Sequence, residues 1–131
     1  MAYDEVRRIG RDFPGIEEST SYGTPALKVR GALLARLWED GETLVLKTTF
    51  VDRDLLMQGE PDVYFLTDHY RNYPYVLVRL PRITAAAIRD RLEEAWRRAA
   101  PKQLIAQLEK GVTASPRTPR PRPRPAKPKR K

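Results

Sequence analysis

The sequence predicts an α+β domain, an antiparallel sheet with helices packed on one of its faces, followed by a disordered, proline-rich basic tail. Three observations carry this. Short runs of alternating apolar and polar residues lie between turn glycines from Glu17 to Thr49. Two stretches near the ends of the domain repeat apolar residues at three- and four-residue spacing. At Gly111 the composition changes at once, to six prolines and eight basic residues with no acid. The boundaries are therefore residues 1–111 for the domain and 112–131 for the tail.

Taken in order, Asp4 is placed to cap a first helix to about Asp12, with Val6, Ile9 and Phe13 on one side and Phe13-Pro14-Gly15 ending it. Glu17 to Tyr22 suits an extended segment, and Gly23-Thr24-Pro25 a turn into Ala26 to Arg30. Gly31 allows a reversal into Leu33 to Glu39, and Asp40-Gly41 is a strong hairpin signal leading into Glu42 to Thr49. A short helix capped by Asp52 carries Leu55, Leu56 and Met57 and stops at Gly59. Val63 to Thr67 and Tyr75 to Leu80 read as two further strands, joined by the polar, aromatic loop Asp68 to Pro74. Thr84 caps the longest helix, whose stripe of Ile88, Leu92, Ala95, Trp96 and Ala99 should face the sheet. Pro101 suits the first turn of a last helix bearing Leu104, Ile105 and Leu108 and ended by Lys110-Gly111.

Charge is divided as sharply as composition. The chain has 25 Lys and Arg against 17 Asp and Glu. Its last 20 residues hold Arg117, Arg120, Arg122, Arg124, Lys127, Lys129, Arg130 and Lys131, so the first 111 residues are formally neutral. With no Cys, disulfide frameworks, thiolate zinc sites and cysteine nucleophiles are excluded. The single histidine, His69, rules out sites built from several. The start lacks the apolar segment of a secretory signal, and no apolar run approaches the roughly 18 to 20 residues that span a bilayer. A cytoplasmic protein without membrane insertion is expected.

In a polyproline-II conformation, rising about 3.1 Å per residue, Arg120-Pro121-Arg122-Pro123-Arg124 would space guanidiniums about 6 Å apart on a stiff rod. Such a rod suits a phosphate backbone. The secondary alternatives are docking on an acidic protein or an SH3-like groove, resting on an anionic membrane surface, or keeping the chain soluble. The sheet offers a second basic surface. Period-two alternation sets Leu27, Val29, Leu33, Ala35 and Leu37 apart from Lys28, Arg30 and Arg36, and likewise separates Lys47 and Arg79 from their apolar neighbours. Trp38 shares the parity of Arg36, and Tyr75 that of Arg79. An uncovered face of basic and aromatic residues follows, of the kind used on single strands and backbones. A solvated face protected from edge pairing would carry the same residues.

Catalytic constellations are thin. Asp68, His69, Tyr70, Arg71 and Tyr73 form a candidate ligand loop, and Ser19 or Ser21 a nominal nucleophile, but no nucleophile-elbow or phosphate-loop pattern accompanies them. No cluster suggests a metal, and no cofactor is implied.

Phe13-Pro14-Gly15 with Glu17-Glu18, Tyr22-Gly23-Thr24-Pro25, Lys28-Val29-Arg30-Gly31, Lys47, Thr67-Asp68-His69-Tyr70, Tyr73-Pro74 and Val76-Leu77-Val78-Arg79-Leu80 together resemble the MmcQ/YjbR family over about residues 3 to 108. The resemblance implies an α+β fold of the secretion-chaperone-like kind and a DNA-binding role through paired wings, with no catalytic residues to carry over. The tail lies outside the family pattern. The expected function is a non-enzymatic nucleic-acid-binding protein, DNA ahead of RNA, with the tail on phosphates and Lys28, Arg30, Arg36, Trp38, Lys47 and Arg79 assisting. The alternative is a small-ligand or protein-partner domain that uses the Asp68 to Pro74 loop.

Overall fold

The computed structural model describes residues 1–110; the tail, and every expectation placed on it, lies outside the described residues. Helix α1 (Tyr3–Gly10) leads into a meander of four strands, β1 (Ile16–Ser21), β2 (Thr24–Val29), β3 (Ala32–Leu37) and β4 (Thr43–Lys47). Helix α2 (Phe50–Gly59) precedes the short β5 (Tyr64–Phe65), a single 3-10 turn (Asp68–Tyr70) and β6 (Tyr75–Arg79). A second 3-10 turn (Leu80–Arg82), α3 (Ala85–Ala99) and α4 (Lys102–Glu109) complete the order. The six strands form one antiparallel sheet in the order β1-β2-β3-β4-β6-β5, the α+β architecture that the alternation and helical spacing predict.

Strand parity divides the side chains between two faces. Leu44 pairs with Val78 and Leu46 with Val76, and these four join Leu27 and Val29 beneath the helices. Val6 of α1 and Ile88, Leu92 and Trp96 of α3 complete this core. The α3 stripe lies against the sheet as its spacing predicts, and Thr84 Oγ1 accepts the Ala87 N–H at 3.1 Å, closing the helix start. The Phe13-Pro14-Gly15 corner brings α1 to β1. Gly15 is left-handed there (φ +78), and a Cβ on it would come within 2.5 Å of Leu104 Cδ1, so the corner requires glycine.

Several local expectations are corrected. Helix α1 starts at Tyr3 with Ala2 as N-cap; Asp4, inside the first turn, pairs with Arg7 at 2.6 Å instead of capping. Helix α2 is capped by Thr49, whose hydroxyl accepts the Asp52 N–H at 3.0 Å, so its cap lies three residues before the expected one. The Asp40-Gly41 turn is wider than a two-residue hairpin because Asp40 gathers the N–H groups of Glu42 and Thr43 and the Thr43 hydroxyl. A bulge interrupts β3 opposite Leu27: Leu27 faces Ala35, but the next residue, Lys28, faces Leu33. Leu33 is thereby moved to the outer side with Lys28, and Leu34, fully buried, takes the core position. Arg30 also leaves the strand interior. Val29 pairs with Ala32, and Arg30 and Gly31 form the two-residue turn between them, both left-handed (φ 50 and 84).

Candidate nucleic-acid interface

The face of the sheet away from the helices collects Ala26, Lys28, Arg36, Trp38, Val45, Lys47, Tyr75, Leu77 and Arg79, with Phe65 at the β5 edge. The register sets Ala26 against Arg36, Arg36 against Val45, Val45 against Leu77 and Leu77 against Phe65. This face is not uncovered. The segment between β5 and β6 folds back over it, and Tyr70 joins Val45 and Leu77 in a second, smaller core bordered by Trp38, Phe65, Leu66 and Tyr75. Apolar residues at the outward positions of β4 and β6 are what the segment packs on.

Arg36 is the largest correction. It is only 4 % exposed, because the Tyr70 loop lies over it. Nη2 donates to the Tyr70 hydroxyl at 2.9 Å and Nη1 to Thr24 Oγ1 at 3.1 Å, while the guanidinium carbon lies 5.1 Å from the centre of the Tyr22 ring. Burial works against its charge, yet the Tyr70 hydroxyl and the Glu39 carboxylate (3.5 Å) more than offset that, and its pKa is raised. Arg36 is thus a tether under the loop and offers no free guanidinium to a phosphate. Replacing it by Gln is expected to cost roughly 1–3 kcal/mol by leaving buried partners unpaired. Lys28→Gln should stay within about 0.5 kcal/mol. Urea unfolding compares the two directly, and equal tolerance would refute the tether.

A second arginine, not anticipated from sequence, fixes the loop from the other side. Arg53 of α2 is buried, and Nη1 donates to the carbonyls of Tyr73 (2.9 Å), Tyr70 (3.3 Å) and Tyr75 (3.4 Å), Nη2 to that of Arg71 (3.2 Å). Its signal in sequence is a charged residue at a core-facing position of a short helix, which gains meaning only once the carbonyls 17 to 22 residues away are seen to converge on it. The candidate ligand loop is therefore already occupied with itself. Asp68 pairs with Arg71, Tyr70 is buried, and only His69 and Tyr73 present rings outward, 6.5 Å apart.

The remaining predicted cations keep accessible charge. Lys28, Arg30, Lys47 and Arg79 make no ion pair among the described residues, although Glu17 stands opposite Lys28 in register. The Lys47 ammonium sits 5.7 Å over the Tyr75 ring, and the Arg79 guanidinium 4.1 Å over Phe65 while donating to the carbonyls of Pro61 and Asp62. Desolvation raises the Tyr75 pKa, so its phenol stays neutral as an aromatic surface. Trp38, half-buried, lines a shallow hollow of about 350 Å³ with Phe65, Arg79 and Arg82. Cations backed by aromatic rings are thus grouped on this face, with Arg30 at its turn.

A family model described as YjbR matches residues 11–98. Uncharacterized proteins of Mycobacterium tuberculosis and Mycobacterium bovis are each 48 % identical over 50 residues, 38 % of this chain and 39 % of theirs. The chain thus spans about two fifths of the length of the curated relatives it matches. A crystal structure of a Deinococcus radiodurans protein with a DUF419 domain superposes with a TM-score of 0.64 at 20 % identity, covering 84 % of this chain and 88 % of that one, a likeness of fold. No helix of the described residues is long and apolar enough to cross a membrane.

Proposed function

The chain belongs to the YjbR family, and from that premise we propose that it is a non-enzymatic nucleic-acid-binding protein, DNA ahead of RNA, whose tail neutralises phosphates while the outer sheet face assists and adds selectivity for shape. The observation that carries this reading is the segregation of charge. A domain with as many acids as bases can bind a polyanion only locally, whereas eight bases and no acid in the last 20 residues form a polycation joined to it. On the domain, Lys28, Arg30 and Lys47, which make no ion pair among the described residues, extend that charge onto a surface where Lys47 lies over the Tyr75 ring. Arg36 has no part in the contact and acts by holding the surface in shape.

The test is an anisotropy titration of labelled duplex DNA, single-stranded DNA and RNA with the full chain near 0.15 M salt. Binding in the range of about 10⁻⁴ to 10⁻⁶ M or tighter, with little dependence on sequence, is expected. No association with any of the three would overturn the proposal.

A further inference from the structure

Two tyrosines present exposed rings on this side of the sheet. Tyr22 is 84 % exposed and Tyr73 54 % exposed. Tyr22 occupies the first central position of the β1–β2 turn, since Ser21 pairs with Thr24, and both it and Gly23 are left-handed (φ 53 and 80). Such turns favour Asn, Asp or Gly at that position; an aromatic residue is strained there and gains no burial in return. Backbone strain held at an exposed ring is a pointer to use.

Each tyrosine is also in contact with a buried arginine. Arg36 lies under one face of Tyr22 and bonds the Tyr70 hydroxyl, and Tyr70 stands edge-on to His69 at 4.7 Å. Arg53 holds the Tyr73 backbone through its carbonyl. A cation beneath the inner face of Tyr22 leaves the outer face free and draws electron density from it, which suits stacking with an electron-rich base. Exposed flat rings on a tethered loop and turn, with Lys47 over the neighbouring Tyr75 on the same sheet face, fit a ligand whose own flat faces are accessible.

We infer that the outer face binds single-stranded nucleic acid by stacking bases on Tyr22 and Tyr73, with Lys47 beside the backbone; this rests on the nucleic-acid reading above and names its substrate class. A duplex buries its base faces in its own stack and offers these tyrosines nothing except at its ends, so duplex binding is left to the tail.

The experiment uses the full chain and a labelled mixed-sequence oligonucleotide of about 15 nucleotides, alone and annealed to its complement. The wild type should prefer the single strand. Tyr22→Asn with Tyr73→Ala should weaken single-strand binding by at least about tenfold and duplex binding by less than about twofold. Tyr22→Asn alone, which relieves the turn, should raise the melting temperature by a few degrees while lowering single-strand affinity, and Tyr22→Trp should keep that affinity. If wild type and double variant bind both forms alike, the nucleic-acid reading stands on the tail alone and this inference is overturned. If the wild type binds neither form, both fall together. A Tyr22→Asn protein that is less stable than wild type would show that the ring is there for the fold, which also overturns it.

Discussion

Raising the salt from about 0.05 to 0.2 M is expected to weaken binding of the full chain to duplex DNA by about 10⁴-fold. If the eight tail charges engage phosphates, log K falls against log salt with a slope near −0.9 × 8, roughly −7. Deleting residues 112–131 should remove most of that slope, because the domain left behind has no net charge and only a few unpaired cations on the outer face. On a single strand the slope is shallower, and what survives tail deletion should be the salt-insensitive stacking part. A tail that docked in an aromatic groove of a protein partner would depend on its prolines as much as on its arginines. Changing Pro121, Pro123 and Pro125 to Ala with every arginine kept therefore separates the two uses. Nucleic-acid binding should survive nearly intact, and groove recognition should collapse. A shallow slope that persists after truncation would mean that the tail is not the phosphate-binding element.

The sheet was legible because alternation, turn glycines and the Thr84 cap are local signals that agree with one another. The β3 bulge was not, since Ala32-Leu33-Leu34-Ala35 offers apolar residues at either parity, and only the pairing of Lys28 with Leu33 decides between them. The outer face failed for a different reason. Counting its basic residues assumes that each meets solvent, but Arg36 is covered by a tyrosine 34 positions later, and Arg53 by carbonyls of the same distant loop. Long-range hydrogen bonds leave no periodicity to read. Tyr22 was hidden by chemistry of the opposite kind, as a Tyr-Gly pair does not resemble the Asn-Gly expected in such a turn, and its left-handed backbone is evident only in the folded chain. What remained legible of the site were Lys28, Lys47, Arg79 and Trp38, placed on the predicted face by parity alone.

On the opposite side of the sheet, Trp96→Ala is expected to cost roughly 3–5 kcal/mol, a large share of the stability of about 5–15 kcal/mol usual for a domain. Trp96 is fully buried between α3 and the sheet, its ring 5.6 Å from that of Phe13, and its Nε1–H donates to the Pro14 carbonyl at 2.8 Å. Truncation therefore opens a ring-sized cavity and also frees the carbonyl that ties the Phe13-Pro14-Gly15 corner to α3. Trp96→Phe separates these effects. It keeps most of the apolar volume and loses the hydrogen bond, so its cost should be smaller, about 1–3 kcal/mol. Denaturant unfolding of both variants reads the difference, and an Ala variant as stable as wild type would refute the packing of α3 on the sheet. Because Trp96 lies on the helix side, either variant that is still folded at low temperature should bind nucleic acid as the wild type does. A folded Trp96→Phe protein that had lost binding would place the contact surface on the helices and remove the outer face from the mechanism.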